Sequence, residues 1–428
     1  MKKIIISLLS LCLISFALSA QDHDDHAHDT PAAQHEGDHE HAEGDHHEGG
    51  CHCHDASKDE FDPGETAFHH IMDANAFRLY GDIYIPLPCI LYAPNHGWSF
   101  FLSNKFELHH HGDGHKAIDG YVMHHGEVMR VHDESFPKGE VAVECFGSTH
   151  EGDKEIFQVI YEGDCYNLDK KSTWDGGMLG GGITSYYDFS VTKNVFTMIL
   201  SLILLFFIFR KVAKSYSARK GEAPKGIQSL IEPIFVFMRD EVAIPFLGPK
   251  YEKYLPFLMS IFFFILGLNL IGQIPFFPGS GNVTGNLAVT MVLALFAFFV
   301  TNLSGNKHYW EHIFWMPGVP AWVKTILTPV EVMGLIIKPL TLMLRLFANI
   351  TAGHIVIIIF VSLIFVFGNA GESIGGSVLG GFIAVPLTLF MMAIELLVAF
   401  IQAFVFCILT ASYIGAAIED HHHEAEHH

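Results

Sequence analysis

Long apolar runs occupy most of the second half of the chain. Three of them, Val195 to Phe209, Leu255 to Ile271 and Leu287 to Leu303, approach the length of about 20 residues that lets a helix cross a bilayer. Two more, Val332 to Gly368 and Phe382 to Ile418, would each form a helix about 55 Å long at 1.5 Å per residue. Helices of that length must tilt strongly in a membrane. The pattern predicts an all-α polytopic membrane protein with five passes, whose two last helices form a tilted hairpin around the Gly-rich turn NAGESIGGSVLGG.

Shorter runs of β-branched and aromatic residues fill residues 60–190. Examples are IYIPLPCILY, WSFFLSNKFEL and EVAVECFG, which are separated by Gly, Pro and Asn. This punctuation is typical of strands and tight turns, so a β-rich extension is predicted before a membrane domain at 191–418. Cys89, Cys145 and Cys165 lie in this extension, and the sequence leaves their pairing open.

The chain begins with a targeting pattern. Lys2 and Lys3 precede the apolar residues 4–16, and small residues follow up to Ala20. Such a pattern predicts a secretory signal peptide at residues 1–20, with an uncleaved membrane anchor as the alternative. Export would place the following segment outside the cytoplasm.

Residues 21–59 are mostly His, Asp, Glu and Gly, as in QDHDDHAHDT, and they carry almost no apolar side chains. Such a segment is expected to be disordered, because it cannot bury enough surface to offset its conformational entropy. Its stretch CHCHD offers four weak candidate ligands for Zn²⁺, Ni²⁺ or Cu²⁺: Cys51, His52, Cys53 and His54. A solvated polar tail with weak metal affinity is the preferred interpretation, and no cofactor is predicted. The His- and Glu-rich tail at 419–428 is similar in composition.

Charge is distributed unevenly along the chain. The formal net charge is −21, yet most of the acidic residues lie before Ser190. Basic residues cluster after the first and third apolar runs: Arg210, Lys211, Lys214, Arg219, Lys220, Lys225, Lys307 and Lys324. The loops at 272–286 and 368–381 contain no Lys or Arg. The positive-inside tendency therefore predicts an extracytoplasmic N-terminus and a cytoplasmic C-terminus.

Polar side chains interrupt the two longest apolar runs. At 100° per residue, one set in the fourth run lies within about 40° of the direction of Arg345; it consists of Glu331, Lys338, Thr341, Arg345 and Asn349. His354 lies nine residues beyond Arg345 and points to the opposite face. In the fifth run, the spacings between Glu395, Gln402 and Tyr413 keep all three on one face.

Ionisable groups inside a membrane helix are costly to insert, so they are candidates for function. Arg345 is a fixed positive charge, whereas His354 and Glu395 can exchange protons. This combination suits a proton relay with an electrostatic gate. A buried structural pair between Arg345 and Glu395 is the alternative.

Several motifs together resemble subunit a of F-type ATP synthases. They are KPLTLMLRLFANITAGH, ELLVAFIQAFVF and YLPFLMSIFFFILGLNLIGQIP followed by TGNLAVT, and the resemblance covers about residues 190 to 418. It implies a non-catalytic channel subunit of the Fo sector, in which two offset half-channels carry protons to and from the carboxyl groups of a rotating c ring. It also implies a b-subunit stalk, other ATP synthase subunits and lipid as partners, and a bacterial inner membrane as location. The expected coupling ion is H⁺, a choice that depends largely on the c subunit.

The resemblance also assigns roles to individual residues. Arg345 matches the arginine that faces the ring carboxyl and blocks proton leakage between the half-channels. His354 and Glu395 match the paired proton-transfer sites, and Asn349 and Gln402 match the polar lining beside the arginine. The polar stripes of the two long helices, separately from the resemblance, predict a secondary polar lining, to which Asn286 is added: Glu331, Lys338, Thr341, Tyr413 and Asn286. The position of Asn286 is acidic in some members of the family.

Two other functions compete with this interpretation. The His-rich tail suggests a divalent-metal transporter that collects metal, but such a protein should carry clustered His and Asp in several spans, and only His354 lies deep in one. The third possibility is a membrane anchor for an exported binding domain, for which the intramembrane polar residues would be surplus. The chain has no GxxxxGK[ST] loop, so it is not expected to bind nucleotide, and no nucleic acid is expected as partner.

Overall fold

The computed structural model describes Cys53 and residues 72–80, 83–109, 112–151, 154–173, 182–219, 221–274, 281–316, 318–369 and 373–419. The expected signal peptide, the His-rich segment apart from Cys53, and the tail after Glu419 lie outside the described residues. The described residues fall into two compact units. Cys53 and residues 73–193 form the β unit, and Met72 and residues 194–419 form the helical unit.

The β unit consists of short antiparallel strands. They are β1 (Ala76–Tyr80), β2 (Ile83–Pro86), β3 (Pro88–Ala93), β4 (Gly97–Leu102), β5 (Leu108–His109), β6 (Asp113–Gly114), β7 (Lys116–Ile118), β8 (Tyr121–His124), β9 (Glu127–Val131), β10 (Glu140–Ala142), β11 (Cys145–Glu151), β12 (Lys154–Tyr161), β13 (Asp164–Asp169) and β14 (Tyr187–Asp188). The largest sheet has the order β10-β7-β8-β9-β13-β12-β11, and a smaller sheet has the order β14-β3-β4. The predicted β-rich region is therefore confirmed.

The central strands of the large sheet are buried on both faces. In β8, Tyr121 and Met123 enter one hydrophobic cluster, while Val122 between them enters another. Because side chains alternate across a strand, a strand between two clusters carries apolar side chains on both of its faces. The first cluster also contains Leu91 of the smaller sheet, so this cluster joins the two sheets.

A disulfide bond joins Cys53 to Cys145 at the start of β11. The two cysteines are 92 residues apart in sequence and their Cα atoms are 5.7 Å apart. Cys165 is also disulfide-bonded, whereas Cys89 is a buried free thiol. The bond removes Cys53 from the candidate metal ligands, because a disulfide sulfur cannot act as a thiolate.

The helical unit contains eight α-helices among its described residues and the residue before them. They are α1 (Lys193–Ala218), α2 (Ile227–Phe237), α3 (Ile244–Leu247), α4 (Tyr251–Gly272), α5 (Leu287–Ser304), α6 (Lys307–Trp315), α7 (Ala321–Phe367) and α8 (Ile374–Ile418). Among the described residues, five helical stretches are long and apolar enough to cross a membrane. The predicted five-pass, all-α membrane architecture is therefore confirmed. The short helices α2, α3 and α6 were not anticipated.

Helices α7 and α8 are longer than the sequence predicted, at 47 and 45 residues. At 1.5 Å per residue, each spans about 70 Å. They pack against each other, α5 packs against both of them, and α4 packs against α8. Helix α4 lies at the centre of this core, where Phe262 and Phe264 are fully buried.

The Gly-rich stretch predicted as the hairpin turn lies largely inside α8. Ser373 caps that helix, since its hydroxyl accepts a hydrogen bond from the Gly376 amide. A Cβ atom added at Gly380 would lie 2.9 Å from the carbonyl oxygen of Leu363 on α7. The glycines therefore serve close helix packing, as small residues commonly do in membrane proteins.

Candidate functional site

The polar residues of α7 and α8 form the candidate site, and the packing of α7 determines which of them are accessible. Leu342, Leu346 and Ile350 recur at intervals of four residues and are buried in the core of the helical unit. Residues at such intervals form one face of a helix, so neighbouring positions must point elsewhere. Arg345 is one of these neighbouring positions, and its side chain is exposed.

Within the described part of the chain, the Arg345 guanidinium has neither a hydrogen bond nor an ion pair. The expected alternative, a structural pair between Arg345 and Glu395, is therefore not formed: Glu395 instead contacts His354. An exposed and unpaired guanidinium can attract an acidic partner supplied by another chain.

Asn349 and Gln402 make the first polar contact between α7 and α8. The Asn349 side-chain amide Nδ2 donates a hydrogen bond of 2.8 Å to Oε1 of Gln402. Gln402 is only 3% exposed, so this bond satisfies a polar atom that has no access to bulk water.

His354 and Glu395 make the second contact, closer to the turn of the hairpin. Nε2 of His354 lies 3.8 Å from Oε1 of Glu395, and the Glu395 side chain is 4% exposed. This distance exceeds that of a hydrogen bond but lies within reach of electrostatic attraction. Oε1 of Glu395 accepts no hydrogen bond from any described residue. The contact agrees with the pairing expected from the opposite faces of α7.

Gly353 explains how the Glu395 carboxyl group fits between the two helices. A Cβ atom added at Gly353 would lie 2.9 Å from Oε1 of Glu395 and 3.4 Å from its Cδ atom. Any larger residue would therefore push the carboxyl group away. The sequence-based interpretation missed Gly353, although its position directly before His354 is a signal that could have drawn attention to it.

Several of the secondary residues lie towards the other end of the two helices. The Lys338 ammonium lies over the ring of Tyr413, 5.4 Å from its centre. The Thr341 hydroxyl donates to the carbonyl oxygen of Ile337 in its own helix. Glu331 lies near Tyr309 of α6, where burial, followed by the negative charge of Glu331, raises the pKa of the tyrosine.

Asn286 has a structural position at the start of α5. Its side-chain oxygen accepts a hydrogen bond of 2.9 Å from the Ala288 amide, so it is the N-cap of the helix. This capping bond satisfies the side-chain oxygen of Asn286, and its place in the polar lining stays a prediction.

Asn269 is a polar residue that the sequence-based interpretation did not select. Its side-chain oxygen accepts a bond of 2.8 Å from the Thr284 hydroxyl, and its Nδ2 donates to the carbonyl oxygen of Ala399 at 3.3 Å. Ala399 lies between Glu395 and Gln402 on α8, so Asn269 holds α8 to α4 at the centre of the site. A single Asn within the apolar run IFFFILGLNLIG was the available signal.

The candidate metal ligands do not form a site in the described part of the protein. No three His, Cys, Asp or Glu side chains among the described residues are placed to hold a metal ion. Cys53 is bound in its disulfide. Cys51, His52 and His54 lie outside the described residues.

The two units match two different family models. Residues 195–415 match the model of a family described as the ATP synthase A chain, and residues 66–171 match a domain of unknown function, DUF8433.

Three bacterial relatives, each described as a subunit a of ATP synthase, match this chain. The ATP synthase subunit a of Chlorobium phaeobacteroides strain BS1 is 38% identical over 246 residues, which cover 56% of this chain and 69% of the relative. ATP synthase subunit a 2 of Prosthecochloris aestuarii is 33% identical over 323 residues, or 74% and 85% of the two chains. The subunit a of Chloroherpeton thalassium is 41% identical over 250 residues, or 56% and 71%.

Proposed function

The chain belongs to the ATP synthase A chain family, and we propose which of its residues carry the protons and which side of the membrane each end occupies. As a member of this family it is the proton-channel stator subunit of the Fo sector, a multi-pass bacterial membrane protein that works with other ATP synthase subunits. No observation on the described residues favours divalent-metal transport. We infer that the chain itself performs no bond chemistry, and that the c ring and the b stalk are its direct partners.

Arg345 is the residue that faces the c ring in this proposal. The observation that carries it is the exposed guanidinium, which has no partner among the described residues although it lies in the middle of an apolar helix. A charge in that position is costly unless an acidic group of another subunit compensates it. The ring carboxyl is that group, and the fixed charge of Arg345 keeps it ionised while it passes and prevents protons from bypassing the ring.

Glu395 and His354 form the proton relay of the outer half-channel. They lie in contact, and Oε1 of Glu395 is free of hydrogen bonds from described residues, so it can accept a proton without first breaking a bond. Protonated His354 stabilises the carboxylate of Glu395 after the proton has left it. Asn349 and Gln402 hold the two helices together between this relay and Arg345.

Glu331, Lys338 and Tyr413 belong to the inner half-channel. Nine residues separate Arg345 from His354, which is about 13 Å along the helix. Lys338 lies on the other side of Arg345, so the two groups of polar residues are separated by the arginine. This separation matches the need for two half-channels that do not meet.

The N-terminus is placed outside the cytoplasm and the membrane is the bacterial inner membrane. The basic residues that follow α1 and α5 support this orientation through the positive-inside tendency. The disulfide between Cys53 and Cys145 supports it independently, because disulfides persist in oxidising compartments. The signal peptide at residues 1–20 is part of the same proposal.

Cysteine cross-linking in the assembled ATP synthase tests the position of the ring. Ala352 is exposed and lies two turns from Arg345 on the same face of α7, so Ala352→Cys should form a disulfide with a cysteine placed beside the carboxyl group of the c subunit. Leu270→Cys on α4 is the matched control, because Leu270 is 40% exposed but lies on another helix. Cross-linking from position 270 instead of 352, or from neither, would contradict the proposed arrangement.

A further inference from the structure

One face of the smaller sheet of the β unit is built only from apolar side chains. In the register of β3 and β4, Tyr92 lies opposite Trp98, and Ile90 lies opposite Phe100. Directly opposite residues point to the same side of an antiparallel sheet. The other side, with Leu91 and Ala93, is buried in the core. We call the outer side the aromatic face and define it as Ile90, Tyr92, Trp98, Phe100, Leu102 and Phe189.

The aromatic face is open to the surroundings. Phe100 is 69% exposed, Trp98 is 54% exposed, and Leu102 and Phe189 are exposed as well. The ring of Trp98 contacts the rings of Tyr92 and Phe189, at 5.0 and 5.6 Å between centres. The side chains therefore form one continuous apolar surface. None of the described residues on this surface is charged.

The chain connects the aromatic face directly to the first membrane-spanning helix. Phe189 precedes the first residue of α1, Lys193, by four positions. The connecting backbone remains bonded to the β unit up to that residue: the amides of Phe189, Val191 and Lys193 donate to the carbonyl oxygens of Ile90, Pro88 and Ala74. Four extended residues cover at most about 14 Å, so only a short length of chain separates Phe189 from the first residue of α1.

We propose that the aromatic face rests on the lipid bilayer, with its rings in the interfacial layer on the side of the β unit. Exposed apolar patches mark surfaces that bind proteins or membranes, and the short bonded connection to α1 favours the membrane here. Trp and Tyr are enriched at the level of the lipid headgroups, because their rings are both apolar and capable of hydrogen bonding. A protein partner would commonly be matched by charged residues around an apolar centre, and none of the six residues that define the face is charged.

Photo-crosslinking in the assembled ATP synthase, in its native membrane, tests this contact. A photoreactive phenylalanine analogue, p-benzoylphenylalanine, replaces Phe100, and after illumination the chain is analysed by mass spectrometry. The expected result is a chain heavier by the mass of one phospholipid. The control carries the same analogue at Glu134, an exposed residue of the β unit outside the aromatic face, and should gain no lipid.

The other outcomes overturn the proposal. A cross-link from position 100 to a second copy of the chain, to another ATP synthase subunit or to another segment of the same chain would show that protein covers the face. A variant that forms no adduct at position 100 would show that the face is in contact with water.

The fluorescence of Trp98 gives a second measurement that needs no large substitution. The chain is reconstituted in phosphatidylcholine vesicles with and without brominated acyl chains. The fluorescence of the Trp98→Phe variant is subtracted from that of the unaltered chain, which leaves the signal of Trp98. The difference signal should be lost to quenching by the brominated lipid. A difference signal of equal intensity in both vesicles would contradict the proposal, and the Arg345 proposal would be unaffected.

Discussion

Two polar contacts join the same pair of helices, yet only one of them contains a hydrogen bond. Asn349 and Gln402 share a hydrogen bond of 2.8 Å between neutral groups. His354 and Glu395 approach only to 3.8 Å, and Oε1 of Glu395 has no hydrogen bond from a described residue. Glu395 and Gln402, which are the α8 members of the two contacts, are almost fully buried.

The difference separates a structural contact from one that can change its charge. A satisfied neutral bond stabilises a fold and does not titrate. A buried carboxyl group without a hydrogen bond is costly to keep ionised, so it can take up a proton when one arrives. Arg345 extends the comparison, because it has no partner at all within the described chain. The three groups therefore run from a hydrogen-bonded pair, through a pair in contact without a hydrogen bond, to the open charge of Arg345, which an acidic group of another subunit balances in the proposed assembly.

The largest effect is expected from removing that open charge. Arg345→Gln should abolish ATP-driven proton pumping in membrane vesicles while the complex still assembles, because the ring carboxyl then stays neutral or leaks protons. Arg345→Lys should fail or nearly fail, since an ammonium within the membrane can lose its proton and lacks the planar fork of arginine. Normal coupled pumping by Arg345→Gln would remove Arg345 from its assigned role.

Substitutions at His354 and Glu395 should have a large effect on proton flux, and exchanging the two residues should partly reverse it. His354→Glu and Glu395→His should each reduce proton flux strongly, because each leaves two like groups in contact. The double variant restores one carboxyl group and one imidazole, so it should conduct more than either single variant. Flux through reconstituted complexes measures this, and a double variant no better than the singles would show that the two residues do not act as a pair.

A smaller effect is expected at the glycine that makes room for Glu395. Gly353→Ala adds a Cβ atom 2.9 Å from Oε1 of Glu395 and should lower flux by displacing the carboxyl group. Gly334→Ala on the same helix is the matched control, because no atom lies within 4 Å of its added Cβ. Equal flux in the two variants would mean that the position of the Glu395 carboxyl group does not limit proton transfer.

The smallest effect is expected from the hydrogen-bonded pair of Asn349 and Gln402. Asn349→Ala and Gln402→Ala each remove one hydrogen bond, which contributes about 1 kcal/mol to stability. The double variant should lower the thermal unfolding midpoint of the complex by less than the sum of the single effects, since both changes remove the same bond. Proton flux should fall only modestly. Additive effects on the unfolding midpoint would indicate that the bond does not form in the membrane.

Periodicity was sufficient to predict the features that depend on one helix at a time. The five spans follow from the lengths of the apolar runs, and the placement of His354 opposite Arg345 follows from counting residues at 100° per position. The meeting of His354 with Glu395 could also be anticipated, because Glu395 is the deep carboxylate of the neighbouring long helix. These inferences require no knowledge of how the helices are arranged around each other.

Features that depend on packing between segments could not be predicted in this way. Gly376 and Gly380 were interpreted as part of a turn, because glycine also permits close helix contact and the sequence does not distinguish the two uses. The bond between Asn269 and Ala399 depends on the three-dimensional contact of α4 with α8. The partner of Cys145 could not be identified either, since cysteine spacing leaves several pairings open.

The prolines of the two long helices have a mechanical consequence. Pro329 and Pro339 lie in the first part of α7, and Pro386 lies in the first part of α8. Each removes a backbone hydrogen bond, so each marks a place where its helix bends most easily. Every polar group of the two contacts, and Arg345, comes after these prolines. In the proposed assembly the subunit bears the reaction torque of the c ring, and these prolines place the most easily bent positions outside the lengths of α7 and α8 that hold Arg345 and the two polar contacts in register.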